Sequence, residues 1–179
     1  MIITGEKIKE EIKLGRIFIE PFNEEYIQPN SYDFHLGENL IVYSNTTINS
    51  RNPKGGDAIL MNSSGYLLKP RNLYLGITQE STGTDIYSQL LFGNLSTGTL
   101  GIWVQISAPL AHVGSKIRWT LEIRVLKETI VYPYMKFGKI CFLCNSGKIR
   151  LYGSSLFWRS GKYTNDEIAP SSISQDKAP

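Results

Sequence analysis

Hydrophobic positions near the N-terminus repeat at the spacing of a helix. Ile8 and Ile12 are four residues apart among lysines and glutamates, which places them on one face of an α-helix. Thr4 suits the N-cap position, and Gly15 supplies a stop signal at the other end. The sequence therefore predicts one short amphipathic helix between Thr4 and Gly15.

Beyond this helix the hydrophobic period changes to two, which is typical of β-strands. The clearest run is 117–125, in which apolar residues from Trp119 to Val125 form one face. The other face carries Thr120, Glu122 and Arg124. Further strand-like stretches, bounded by Pro, Gly, Asn or Ser, are Arg16 to Ile19, Tyr32 to Leu36, Leu40 to Tyr43, Leu73 to Thr78 and Leu100 to Ile106. Many short strands with one helix predict a β-sandwich or barrel-like core.

Two stretches lack this alternation. Residues Ser44 to Ser64 are rich in Asn, Gly and Ser and predict a long excursion from the sheet. Residues Tyr163 to Pro179 are polar and contain two prolines, which predicts a flexible C-terminal lid or tail. We therefore expect a single domain over residues 1–162, followed by that tail.

Composition and charge restrict the class of protein. With 179 residues, 41% of them hydrophobic and 20% charged, the chain can bury one sizeable core. The 19 Lys and Arg against 16 Asp and Glu give a net charge of +3, too weak to indicate a nucleic-acid surface. No apolar run approaches the roughly 20 residues that span a bilayer, and the N-terminus has no signal-peptide pattern. These features predict a cytoplasmic protein that binds neither nucleic acid nor membrane.

The two cysteines, Cys141 and Cys144, form one C-x-x-C within an apolar run. A zinc site would need a second ligand pair, and neither a further cysteine pair nor a nearby histidine is present in the sequence. Both thiols are therefore predicted to be strand-core residues, and no zinc is expected.

Three parts of the chain together resemble the dCTP deaminase/dUTPase family. They are Ile17 to Pro21 with Ile27 to Gly37, Leu68 to Pro70 with Leu75 to Glu80, and Ala108 to Glu122 with Tyr132 to Gly138. The first is similar to the family's I-x-P and Q-P-x-S-x-D-x-x-L-G signature, and the last to its active-site strand and Y-P-G-M-x-I-G turn. The resemblance implies a mainly β, distorted β-barrel or jelly-roll-like fold with a short N-terminal helix. It also implies a homotrimer with active sites between subunits.

Glu122 stands where the family keeps the glutamate that activates water, so the resemblance makes it the first catalytic candidate. From its residue type alone, a Glu on the polar face of a strand is more typical of a solvated surface. Ala108 matches the small residue whose backbone lies beside the attacking water. The alternative for Ala108 is a small residue that ends a strand before Pro109.

Further residues are assigned supporting roles by the resemblance. Asp33 matches the aspartate of the first signature, although an Asp in this context can also satisfy a turn. Lys162 and Tyr163 are similar to the pair that opens the family's C-terminal lid, where they would meet the nucleotide. A solvated tail is the alternative for that pair.

The chain departs from the family at its phosphate-binding segment. The family's G-R-S-S-L-x-R aligns with Gly93 to Thr99, so that Asn94 and Thr99 replace both arginines and Ser96 alone remains of the serine pair. We still expect Asn94, Ser96 and Thr99 to line the nucleotide site. Lys116 and Arg118 could supply the missing positive charge, or could belong to an exposed strand edge.

Two more positions of the family pattern are changed. His112 replaces the turn aspartate that serves hydrolysis in dUTPases, and it is expected to support the site rather than act as a base. Asp166 replaces a lid glutamine, and its charge would repel phosphate unless a metal ion lay between them.

Three functions follow as hypotheses. The first is hydrolytic deamination of dCTP to dUTP, with Mg²⁺ bound to the triphosphate. The second is hydrolysis of dUTP to dUMP and diphosphate on the same fold. The third is a catalytically inactive trimer that binds a nucleotide or a protein, which the missing arginines favour.

Overall fold

A curled antiparallel β-sheet dominates the computed structural model, which describes residues 1–43, 47–48 and 56–151. The helices are α1 Gly5–Lys13 and α2 Leu95–Thr99, with a 3₁₀ helix at Glu24–Tyr26. The strands are β1 Ile17–Glu20, β2 Ile27–Gln28, β3 Ser31–Tyr43, β4 Asp57–Leu60, β5 Tyr66–Leu68, β6 Leu73–Thr84, β7 Tyr87–Gly93, β8 Ile102–Trp103, β9 Leu110–Ala111, β10 Lys116–Val125, β11 Thr129–Val131 and β12 Lys136–Cys144. The predicted mainly β, distorted-barrel fold with one short N-terminal helix is confirmed.

The main sheet has the strand order β8, β10, β6, β3, β12, β7 and β9. Strands β1, β2 and β4 add to it by pairing with β6 or β3, and β5 pairs with β11 in a separate ribbon. Strand β3 lies between β6 and β12, and its residues from Ser31 to Gly37 are buried without alternation. A strand covered on both faces loses the period of two, so this segment forms the centre of the core.

The N-terminal helix forms as predicted. The Thr4 hydroxyl accepts a hydrogen bond from the Lys7 N–H at 3.3 Å, and Gly15 has a φ of 68° after the last turn. Ile8 is fully buried. Arg16 donates hydrogen bonds to the buried Glu11 carboxylate and lowers its pKa to about 2, so this carboxylate stays charged beside the helix. Among the described residues no helix is long and apolar enough to cross a membrane.

Two strand predictions are wrong. The stretch Leu100 to Ile106 is a strand only at Ile102–Trp103, because it follows α2 and turns at Gly101, whose φ is 73°. The separate strands at 32–36 and 40–43 are one continuous strand, β3, whose pairing register with β6 shifts between Leu36 and Leu40. Gly37, Glu38 and Asn39 lie at that shift, and in the sequence they have the composition of a turn.

The predicted excursion and the cysteine prediction need partial correction. Within Ser44 to Ser64, residues Asp57–Leu60 form β4 and pair with β3, while residues 44–46 and 49–55 lie outside the described residues. Cys141 is buried in β12, and burial raises the pKa of its thiol. Cys144 is exposed because it stands at the end of that strand, so it is not a core thiol.

Candidate active site

Glu122 lies on β10, opposite the apolar face that packs in the core. Its neighbours Leu121 and Ile123 are fully buried, whereas Glu122 is half-buried. On one edge of β10 its pairing partner is Leu75 of β6. On the other edge β8 pairs only with the end of β10, at Arg124 and Val125. The chain segment after β8 therefore runs beside Glu122 without forming a ladder with it.

The Glu122 carboxylate binds this neighbouring segment through one of its oxygens. Its Oε2 accepts hydrogen bonds from the Ser107 N–H at 2.7 Å, from the Ile106 N–H at 3.1 Å and from the Ser107 hydroxyl at 3.1 Å. In the described part of the chain, the other oxygen, Oε1, has a single long contact of 3.4 Å, to the same hydroxyl. The carboxylate is thus oriented through Oε2 and keeps accepting capacity on Oε1.

Ala108 follows directly on that segment and is exposed. Its carbonyl oxygen accepts a hydrogen bond from Nε2 of Gln105 at 3.1 Å. The two predicted catalytic residues are therefore brought together, because Glu122 holds Ile106 and Ser107, and Ala108 is the next residue. A carboxylate and a backbone carbonyl are both hydrogen-bond acceptors for water.

The segment aligned with the family's phosphate-binding motif forms α2. Asn94 is its N-cap, and the side-chain oxygen accepts a hydrogen bond from the Thr97 N–H at 2.9 Å. The buried Thr97 hydroxyl donates to the Phe137 carbonyl of β12 at 3.1 Å, which fixes the helix on the sheet. Ser96 and Thr99 are exposed, and the Thr99 hydroxyl donates to the Ser96 carbonyl. Asn94 thus has a capping role that occupies its side chain.

A cavity of about 470 Å³ joins α2 to the segment beside Glu122. It is lined by residues 91–94 and 101–105, together with Gly98, Pro109 and Leu126. Most of the lining residues are apolar, and Asn94 and Gln105 are the residues with polar side chains among them. Asn94 of the predicted phosphate segment lines this cavity, as do Gln105 and Pro109 on either side of residues 106–108. Of the other predicted site residues that the structure describes, Glu122, Ala108, Ser96 and Thr99 are not among its lining residues.

The predicted supporting residues lie elsewhere. Asp33 is buried inside β3, where its carboxylate accepts from Gln28 Nε2 at 2.8 Å and pairs with Lys136 Nζ at 2.7 Å. It thereby links β2, β3 and β12, and the alternative of a turn is wrong. The His112 carbonyl closes a turn by accepting from the Ser115 N–H and hydroxyl. Neither Asp33 nor His112 lines the cavity.

The positive charges proposed as substitutes for the missing arginines have other contacts. Lys116 Nζ lies 3.4 Å from the centre of the Phe18 ring, and Arg118 Nε donates to the Thr78 carbonyl at 2.7 Å. Neither residue lines the cavity. Lys162, Tyr163 and Asp166 lie outside the described residues.

Sequence reasoning missed two residues of these networks, Gln105 and Lys136. Lys136 is the ionic partner of Asp33, and its place after a turn gave no sign of that pairing. Gln105 stands within a stretch that was expected to be a strand, and its polar character among Ile102, Val104 and Ile106 was the available signal.

Comparison with known proteins agrees with this architecture. A family model described as dCTP deaminase-like matches residues 2–143. Proteins named "dCTP deaminase, dUMP-forming" from Clostridium beijerinckii and Leptospira biflexa are 37% identical over 177 residues and 39% identical over 178 residues, in each case 98% of both chains. The crystal structure of 2'-deoxycytidine 5'-triphosphate deaminase from Agrobacterium tumefaciens matches with a TM-score of 0.63 at 18% identity, over 79% of this chain and 46% of that one. At that identity the structural match supports the fold alone.

Proposed function

This chain belongs to the dCTP deaminase-like family, and we propose that it hydrolytically deaminates dCTP. The observation that carries the proposal is the orientation of Glu122, whose Oε2 is held by two backbone N–H groups while Oε1 keeps capacity to accept a proton. A general base must be fixed in this way and must lie beside the water that it activates.

In the proposed reaction, Glu122 takes a proton from a water molecule as the water oxygen attacks C4 of cytosine. The Ala108 carbonyl accepts the second water hydrogen and fixes the direction of attack. Glu122 passes this proton to N3 of the ring, which gives a tetrahedral intermediate with a hydroxyl and an amino group on C4. Glu122 then takes the remaining hydroxyl proton and delivers it to the amino nitrogen as the C4–N bond breaks, so that dCTP and water yield dUTP and ammonia.

A second candidate is formation of dUMP from dCTP, in which the triphosphate is also hydrolysed. The name "dUMP-forming" of the relatives favours it. His112 argues for the simpler deamination, because it replaces the turn aspartate that the dUTPase resemblance associates with phosphate hydrolysis. The two candidates share the substrate and the deamination step, and they differ in the product.

Mg²⁺ is proposed to arrive with the triphosphate. Among the residues that the structure describes, no group of three or more His, Cys, Asp or Glu side chains is placed to hold a metal ion. We therefore assign no protein ligands to the ion, which when bound would neutralise part of the phosphate charge. Ser96 and Thr99 are proposed as neutral phosphate contacts, and Lys162 and Tyr163 as lid contacts.

A homotrimer is proposed on the apolar surface around α2 and β8. Leu95, Trp103 and Leu126 are exposed by 81%, 52% and 62%, and an apolar patch of this kind favours a protein interface. Light scattering at micromolar concentration should give three times the 20.2 kDa mass of the chain. A mass equal to one chain would contradict the trimer.

The proposed activity is tested by incubating the purified full chain with dCTP, and in a separate reaction with dUTP, in the presence of Mg²⁺, then separating the nucleotides and measuring ammonia. We expect dUTP and an equal amount of ammonia. Production of dUMP with diphosphate would establish the second candidate instead. The absence of product from both dCTP and dUTP would leave the inactive, nucleotide- or protein-binding trimer.

A further inference from the structure

Gln105 is the polar residue that links the cavity wall to the catalytic segment. Its Nε2 donates to the Ala108 carbonyl at 3.1 Å, and Gln105 is one of the residues that line the cavity. Its Oε1 is buried and has no hydrogen-bond partner within the described part of the chain. This glutamine thus forms a bond with one end of its amide and leaves the other end unsatisfied.

Only one orientation of the Gln105 amide allows a hydrogen bond to the Ala108 carbonyl. Reversing it would bring Oε1 against the Ala108 carbonyl, and two acceptors cannot form a hydrogen bond. The bond to Ala108 therefore requires that Oε1 remain buried and unpaired, which is unfavourable. An apolar side chain of similar length would avoid this desolvation cost, and the hydrogen bond that it would lose lies on an exposed segment. A methionine at this position should therefore not lower the stability of the fold.

The segment that Gln105 contacts has little packing of its own. Ile106, Ser107 and Ala108 are all exposed, and hydrogen bonds to Glu122 hold the first two. The following residue, Pro109, is anchored through its carbonyl, which accepts from the Leu91 N–H at 2.9 Å. Between these anchors, the Ala108 carbonyl is held by Gln105.

We propose that Gln105 is a positioning residue for the deamination. Its amide fixes the Ala108 carbonyl relative to Glu122, so that both acceptors meet the same water. This role rests on the proposed function, in which Ala108 orients the attacking water. The unsatisfied Oε1 is the stability cost of that arrangement.

The test is Gln105→Met, which removes a single known hydrogen bond because Oε1 forms none. We expect kcat for dCTP to fall by about tenfold, with KM unchanged and the melting temperature not lowered. The amide hydrogens of Ile106 and Ser107 should exchange faster. A kcat equal to that of the unmodified chain, or a loss of activity explained by a lower melting temperature, would overturn the proposal.

Gln89→Met is the matched control. Gln89 is fully buried, its Oε1 accepts from the Thr82 hydroxyl at 2.7 Å, and its Nε2 is unpaired. Losing this core bond should lower the melting temperature and leave kcat unchanged. If the unmodified chain does not deaminate dCTP, the proposed function fails, and hydrogen exchange still decides the role of Gln105. Unchanged exchange at Ile106 and Ser107 would then show that Gln105 does not hold the segment, and faster exchange would show that it holds the segment without a role in deamination.

Discussion

Replacing Glu122 by Gln is expected to lower kcat for dCTP deamination by about 10²–10⁴-fold, the usual contribution of a general base. The amide keeps the shape of the side chain, and its oxygen can still accept from the Ser107 and Ile106 N–H groups. It cannot take a proton from water. The fold and the affinity for dCTP should therefore be retained, as measured by the melting temperature and by calorimetry.

Glu128→Gln provides the control for this charge change. Glu128 is exposed in the connection between β10 and β11, six residues from Glu122 and away from the cavity lining. Its substitution removes one negative charge without touching the catalytic segment, so kcat should not change. If Glu122→Gln retained the activity of the unmodified chain, Glu122 could not be the base, and deamination would have to use another group.

The parts of the fold that sequence predicted best are those covered on one face. On β10 the alternation from Trp119 to Val125 is reproduced as buried positions, because that strand packs one face against the core. Helix α1 was equally clear, since Thr4 and Gly15 act at its two ends through local interactions. Local periodicity and capping suffice where the surroundings do not override them.

The strand prediction failed where the same local pattern of apolar residues is compatible with a strand and with a turn. Residues from Leu100 to Ile106 contain enough apolar positions for a strand, yet they directly follow α2 and turn at Gly101. Helix α2 is itself held by the Asn94 cap and by the Thr97 bond to β12. The bond to β12 joins residues 40 positions apart and cannot be inferred from spacing. The conformation of Tyr134 also could not be inferred from the sequence. This residue has a φ of 63°, at the position where the family's Y-P-G-M-x-I-G turn has Gly. Its hydroxyl donates to Glu38 at 2.7 Å.

The candidate site was only partly visible in the sequence. Glu122 and Ala108 were identified by family resemblance, and the structure shows how the segment after β8 brings them together. The backbone donors that orient Glu122 belong to Ile106 and Ser107, and a backbone N–H leaves no sign in the residue type, although the Ser107 hydroxyl also donates to the carboxylate. Gln105 is equally hidden, because its contact with Ala108 depends on a turn that replaces the predicted strand.

The expected effect of restoring a phosphate-binding arginine is largest at Thr99. Thr99→Arg should tighten binding of dCTP with Mg²⁺ by about 1.5–3 kcal/mol, the range for a hydrogen bond to a charged group, and the gain should shrink as salt is raised. Thr99 is exposed at the end of α2, and its hydroxyl contacts only the local Ser96 carbonyl among the bonds of the described residues. The change therefore removes little that holds the fold.

Restoring the other arginine, at Asn94, is expected to weaken the helix rather than to improve binding. Asn94 caps α2, so Asn94→Arg should cost about 1 kcal/mol of stability and loosen the helix that would carry the new charge. The single Thr99→Arg variant is thus expected to bind dCTP more tightly than the double variant. Thr99→Gln, long but neutral, is the control and should show no gain in calorimetry. Equal affinities for Thr99→Arg and Thr99→Gln would mean that the triphosphate does not lie beside α2, and the phosphate site would then have to be sought on another part of the protein.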